Sequence, residues 1–396
     1  MTAVGVFGLL LSLFAFGLGW SQRNATRLMV LGALLAAHVA ASVYYYEYSL
    51  RAVADAWSYY FDPFNMSSHG FGLSTVLVFK IVYFMKTSMG ASYLDCFLVF
   101  QAIGFAGIML LVRTFDEIEV NMGAPLSRGY LGLLFLPSVN FWTAAIGKDA
   151  PLFFAVSLCV WAMLALRRRI VWFALALFVM VLFRAHIALM AAAALAGATF
   201  FGSTASLGRR LALLTVAVAG FWLALGPVKS TLNVDVTSAA SLSEFLDNNN
   251  SVYANVGGTT SIGHAALPLR VISLLFRPFF FDASGVLGLI ASVENIGVVF
   301  MFFFALFHWR ELMMLSRRVL FIRFCLLFAI VILFLLTLVY YNVGLGLRQR
   351  VMTYPMVFSV LVAMWSLRKR QEATQRPRVQ RGLMPEAMRN RALPEV

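Results

Sequence analysis

Stretches such as residues 2–20, 92–113, 286–308 and 320–341 are apolar almost without interruption, over about the 20 positions that a helix needs to cross a bilayer. A chain built this way has few folds open to it. Continuous runs, rather than period-two alternation, exclude a transmembrane barrel, and a soluble domain cannot hide so much apolar surface. With 61% hydrophobic and 12% charged residues over 396 positions, the expected fold is all-α, a polytopic transmembrane helical bundle.

The formal charge of +14 raises the question of nucleic acid, but the basic residues stand in short clusters beside apolar runs and in the C-terminal tail. That pattern sets membrane topology and attracts anionic lipid, so no nucleic-acid partner is expected. Cys96, Cys159 and Cys325 all lie inside apolar runs without CxxC spacing, so they read as packing residues and no metal site is expected from them. The clusters Arg167-Arg168-Arg169, Arg209-Arg210, Arg317-Arg318 and Arg368-Lys369-Arg370 belong in the cytoplasm by the positive-inside rule. Counting from them gives about eleven spans, near 2–20, 28–46, 92–113, 129–147, 150–166, 170–183, 187–202, 211–229, 286–308, 320–341 and 351–367. The N-terminus is then outside and the C-terminus inside.

The count closes only if residues 73–90 do not cross. Their mixed face, with Lys80 and Lys86 among apolar neighbours, suits an interfacial amphipathic helix. Residues 1–367 form a single transmembrane domain with extracytoplasmic loops at about 47–91 and 230–285. The Arg-, Pro- and Gln-rich segment 368–396 reads as a basic, disordered cytoplasmic tail. Residues 170–202 fall into two short apolar halves either side of Arg184-Ala185-His186, as broken spans meeting at a polar floor would.

Ionisable residues are costly at membrane depth and usually face a cavity or a partner. Here Asp55, Lys148-Asp149, Arg184 with His186, Arg277, and Arg348 with Arg350 all fall at the outer ends of apolar runs. Asp55, in Asp55-Ala-Trp-Ser-Tyr-Tyr, suits a general base at the interface; its plainer role is a helix cap, and Glu47 and Asp62 are rival carboxylates. Asp149 and Lys148 suit either a site or a cap and a snorkelling anchor. Arginine binds phosphate oxygens as a fork and stays charged, so the outer arginines together suggest an anionic substrate. His186 suits a proton relay or a hydrogen bond between helices. Glu294 is expected to pair with one of the arginines.

Asp55-Ala-Trp-Ser-Tyr-Tyr, the interfacial helix, and the turn from Phe141-Trp142 to Lys148-Asp149 resemble the GT-C superfamily of polyprenyl-phosphate-dependent glycosyltransferases. Leu182-Phe183-Arg184-Ala185-His186, Leu275-Phe276-Arg277-Pro278-Phe279, Glu294-Asn295 and Gly346-Leu347-Arg348-Gln349-Arg350 are similar to its bacterial polysaccharide-polymerase-like members. The resemblance implies a bacterial inner-membrane enzyme with a periplasmic active site. It would move a sugar or repeat unit from an undecaprenyl-linked donor to a glycan acceptor in O-antigen, capsule or exopolysaccharide assembly, beside chain-length regulator and flippase proteins. On this resemblance Asp55 would be the catalytic aspartate, Lys148, Arg184, Arg277, Arg348 and Arg350 would contact the carrier phosphate, and Trp57, Tyr59, Tyr60 and Trp142 would stack on sugar faces; Asp149 is a further candidate catalytic residue, and His186 and Glu294 are further candidates for the substrate site. It implies either no cofactor or a divalent cation, Mg²⁺ or Mn²⁺. The first loop lacks the adjacent acidic pair of many GT-C enzymes, and no large periplasmic domain follows the last span. A flippase for the same lipid-linked glycan and a non-catalytic scaffold of an export complex are the alternatives.

Overall fold

A computed structural model describes residues 2–19, 25–52, 54–62, 72–123, 129–202, 208, 215, 265–283, 285–338 and 343–383. Every regular element among them is helical. In chain order they are α1 (Ala3–Gly19), α2 (Ala25–Ser49), α3 (Asp55–Phe61), α4 (Thr75–Ser88), α5 (Tyr93–Met122), α6 (Pro137–Thr143) and α7 (Asp149–Met163). The series continues with α8 (Ile170–Phe200), α9 (Leu267–Phe276), α10 (Gly285–Phe307), α11 (Trp309–Arg318), α12 (Leu320–Leu338), α13 (Val343–Arg350) and α14 (Tyr354–Leu383).

Helix α5 is apolar around most of its length, with its acidic residues gathered towards its ends, and it is the buried axis of the bundle, packed against α1, α2, α7 and α14. Its start is fixed by a capping box, in which the Asp95 amide donates to Ser92 Oγ (3.2 Å) and the Ser92 amide donates to Asp95 Oδ2 (3.0 Å). It ends at Gly123, whose φ of 63° is one that glycine adopts freely. Gly104 on α5 has no side chain because a Cβ there would lie 1.9 Å from the Thr143 carbonyl oxygen. That close approach sets α6, and the turn after it, directly on the axis.

One end of the bundle is strongly basic. There Arg27 makes a forked pair with Asp116 (2.9 and 2.5 Å), which also accepts from the Tyr130 hydroxyl (2.9 Å). Nearby, Arg169 pairs with Glu117 (2.8 Å) and lies 3.9 Å over the Trp161 ring. The opposite end carries Asp55, Asp149 and Arg348.

Helix α8 is not straight. Its Phe173 ring sits 6.2 Å from that of Phe324, while Arg323, the next residue of α12, donates to the carbonyl of Phe201 at 3.3 Å. A straight helix would separate Phe173 from Phe201 by about 42 Å, so the chain must fold back between them. The reversal lies at Arg184, the non-helical residue within α8 (φ −152°, ψ 85°). The two apolar halves expected at 170–183 and 187–202 are thus two arms of one bent helix, meeting at a charged apex.

Six described helices are long and apolar enough to cross a membrane: Ala25–Ser49, Tyr93–Met122, Ile170–Phe200, Gly285–Phe307, Leu320–Thr337 and Val343–Ala373. Shorter apolar helices are Ala3–Gly17, Asp149–Met163 and Leu267–Phe276. The expected count of about eleven spans is therefore not reached among the described residues. The expected span 129–147 is instead a 3-10 turn (Gly129–Phe135) followed by the short α6. Pro137 starts a new helix there, and the Asn140 amide ties the joint by donating to the carbonyls of Leu134 and Leu136 (2.9 and 3.1 Å). The expected span 211–229 lies outside the described residues, apart from Thr215. The expected outer loop at 47–91 contains α3 and α4, and the end of the one at 230–285 contains α9. The tail expected to be disordered from residue 368 continues as helix to Leu383, since Lys369, Gln371, Glu372 and Ala373 are strong helix formers.

Candidate functional site

Four segments far apart in sequence converge at the end opposite the basic one. Asp149 opens α7, where a carboxylate complements the positive end of the helix dipole. It is 3% exposed, and both of its oxygens are engaged: Arg184 donates to Oδ1 (3.1 Å), and Arg348 Nε donates to Oδ2 (2.5 Å). Arg348 also donates through Nη1 to Asp55 Oδ2 at 2.6 Å. Its guanidinium stands 5.5 Å from the centre of the Trp142 ring. Arg348 thus bridges a buried carboxylate and an open one, with side-chain exposures of 5% for Asp149 and 56% for Asp55. Asp55 Oδ1 accepts no hydrogen bond among the described residues.

The bend in α8 delivers Arg184 to this cluster and is itself supported. With the helical ladder broken, the Leu182 carbonyl accepts from the Ser74 amide (2.8 Å) just before α4. Ser74 holds a φ of 61°, a strained value for a residue other than glycine. The adjacent Thr75 accepts from Lys148 Nζ at 2.9 Å, so the start of α4 clamps both the bend and the lysine. Burial pushes the Lys148 ammonium down to about 8, reinforced by the Arg184 and Arg348 charges and opposed by Asp149 and Asp55. Tyr59, buried on α3, is pushed up to about 12 by burial and by the Asp55 charge, so it serves as a neutral hydroxyl. Three cations and two carboxylates leave the cluster one positive charge in excess.

Of the residues expected in a site, the structure brings together Asp55, Lys148, Asp149, Arg184 and Arg348, with Tyr59 and Trp142 against them. Gly147, itself buried, lies between the Tyr59 ring and Arg348 Nη2, each 3.9 Å from where a Cβ would stand. Trp57 is instead stacked on Phe61 at 5.1 Å, and Tyr60 donates to the Ala91 carbonyl (3.0 Å) beneath Lys86. His186 lies exposed on α8, two residues past the apex. Glu47 pairs with Arg51 at the surface, and Asp62 ends α3.

Three residues expected at the site have partners in the scaffold. Arg350 is 2% exposed and donates to the Leu275 carbonyl (2.5 Å) and Asn295 Oδ1 (2.6 Å), capping α9 and tying it to α10. Residues two apart on a helix point away from each other, so Arg348 and Arg350 of α13 cannot serve one site. Arg277 pairs with Asp282 inside its own turn. Glu294, expected to pair with an arginine, accepts instead from the Ser138 amide (2.7 Å), the Ser138 hydroxyl and the Tyr354 hydroxyl (3.2 Å). It caps the start of α6, whose first turn leaves amides unpartnered. Ser74 and Thr75 carry no sequence signal that would mark them beforehand, because both act through contacts distant in the chain.

Asp149 has both oxygens on guanidinium groups, so Asp55 is the one open carboxylate, and it sits in the field of three cations. Magnesium is usually held by one or two carboxylates together with substrate phosphate. No group of three or more His, Cys, Asp or Glu side chains that could hold a metal occurs among the described residues. No family model matches the chain, and no curated protein or solved structure is significantly similar to it.

Proposed function

We propose that this membrane-embedded protein is a glycosyltransferase that moves a sugar or oligosaccharide repeat unit from an undecaprenyl-diphosphate carrier to an acceptor glycan. The observation that carries the reading is Arg348 shared between the buried Asp149 and the open Asp55, with Arg184 and Lys148 alongside. A site with surplus positive charge suits phosphate, and one open carboxylate within reach of it suits a base.

In the reaction, Asp55 takes the proton of an acceptor hydroxyl as its oxygen bonds to the anomeric carbon. The bond from that carbon to the carrier phosphate breaks, and its electron pair leaves on the diphosphate. Arg184, Arg348 and Lys148 stabilise the charge that develops there, an electrostatic role that needs donors fixed in advance. Asp149 fixes the two arginines. Tyr59 and Trp142 supply faces for sugar rings. By the positive-inside rule the site opens on the periplasmic side of a bacterial inner membrane, which suits surface-polysaccharide assembly.

The test uses purified protein in nanodiscs with a synthetic lipid-linked repeat unit, read by gel and mass. Chain growth in the wild type that disappears in Asp55→Asn and in Arg348→Ala supports the assignment. Carrier binding without chain growth in the wild type would reassign the protein to transport of the same lipid.

A further inference from the structure

The two ion pairs of Arg348 differ in how readily they can be exchanged. The pair with Asp149 is buried on both sides, at 17% and 5% side-chain exposure, whereas the Asp55 partner is 56% exposed. Breaking a buried pair strands a charge away from water, while an exposed pair contributes little and trades easily with solvent or another anion. An incoming phosphate therefore displaces Asp55 and leaves Asp149 in place.

We propose that the Asp55–Arg348 ion pair is a latch that the donor's phosphate opens. Resting on the glycosyltransferase reading above, the inference concerns when the base becomes available. With the site empty, Asp55 Oδ2 is engaged by the hydrogen bond from Arg348 Nη1. A phosphate oxygen then takes Nη1, and the released carboxylate lies next to the anomeric carbon that the same donor carries. The proton of the acceptor hydroxyl goes to this freed oxygen as the new glycosidic bond forms and the bond to phosphate breaks. The donor alone frees Asp55 Oδ2, so the donor binds first and the acceptor second.

The latch predicts that removing Asp55 strengthens anion binding even though it abolishes transfer. Inorganic pyrophosphate is titrated calorimetrically into full-length protein in phosphatidylcholine nanodiscs, for the wild type, Asp55→Asn, Asp55→Ala and Glu47→Gln. Both Asp55 variants should bind about fivefold more tightly, the scale of an exposed ion pair. Glu47→Gln, which removes a surface carboxylate paired to Arg51, should match the wild type. Unchanged or weaker binding in the Asp55 variants, with the wild type binding normally, overturns the latch and leaves the phosphate site standing. Equal strengthening in Glu47→Gln also overturns it, as a general charge effect. Absence of pyrophosphate binding in every form overturns the phosphate site and the latch with it. Loss of binding on changing to phosphatidylglycerol nanodiscs would identify an ordinary headgroup as the occupant, again against a donor-opened latch.

Discussion

Replacing Asp149 by Asn leaves Arg184 and Arg348 facing a neutral amide that can accept through one atom rather than two. Because the pair is buried, the loss should be large, about 3–5 kcal/mol, read as a fall in melting temperature in detergent. Glu47→Gln, at an exposed pair, should shift stability by under about 1 kcal/mol. Lys148 gives a pH signature with two opposite signs. Its folded value of about 8 lies below the ordinary 10.5, so its cationic form opposes folding below about pH 8. That penalty is relieved as pH rises from 8 towards 10.5, and thermal stability should rise over this range. Pyrophosphate affinity should fall as pH passes through 8, because the site loses a positive charge. Lys148→Met should abolish both trends. These polar groups were partly legible in the sequence, since a charge flanked by apolar runs needs a partner or a cavity. Asp55, Lys148, Asp149, Arg184 and Arg348 meet as expected, although that Asp149 clamps two arginines was not visible. Arg277, Arg350 and Glu294 carry the same signal and answer to local partners, Asp282, the end of α9 and the start of α6, which only the folded chain identifies.

Among the helices, α5 and α6 make the closest contact on which the site depends. A methyl group at Gly104 would have to push the Thr143 carbonyl away, shifting the turn that carries Lys148 and Asp149. Gly104→Ala should therefore cost about 1–3 kcal/mol, as overpacking does, and should weaken pyrophosphate binding as well. Gly132→Ala, with nothing within 4 Å of the added carbon, is the matched control, and calorimetry on both variants checks the pair. The long apolar helices were readable from hydropathy, as was a separate helix at residues 75–88. What hydropathy does not register is punctuation within an apolar run. Gly129, Gly132 and Pro137 break the stretch at 129–147 into a turn and a short helix. The non-helical backbone at Arg184 is legible as charge between two short halves, whereas its steep reversal depends on contacts with α12 and on the Ser74 amide.

For the molecule as a whole, the fold-back of α8 makes a prediction about sidedness. Its two ends both lie beside the start of α12, so cysteines placed at Val171 and at Phe201, both exposed, should react with an impermeant maleimide from the same side of the membrane. A helix that simply crossed would label them from opposite sides. The native Cys96, Cys159 and Cys325 are buried, which keeps the background low. The short arms have a consequence for the bilayer itself. Each arm of α8, like α7 beside it, spans about 21–24 Å against a hydrocarbon thickness of about 30 Å. Local thinning of the membrane is one response to such hydrophobic mismatch, and it would bring lipid headgroups and water towards the Arg184 apex. On the function proposed above, a phosphate borne on a long isoprenoid would then reach the arginines without being lifted from its leaflet, and the bilayer would form one wall of the site.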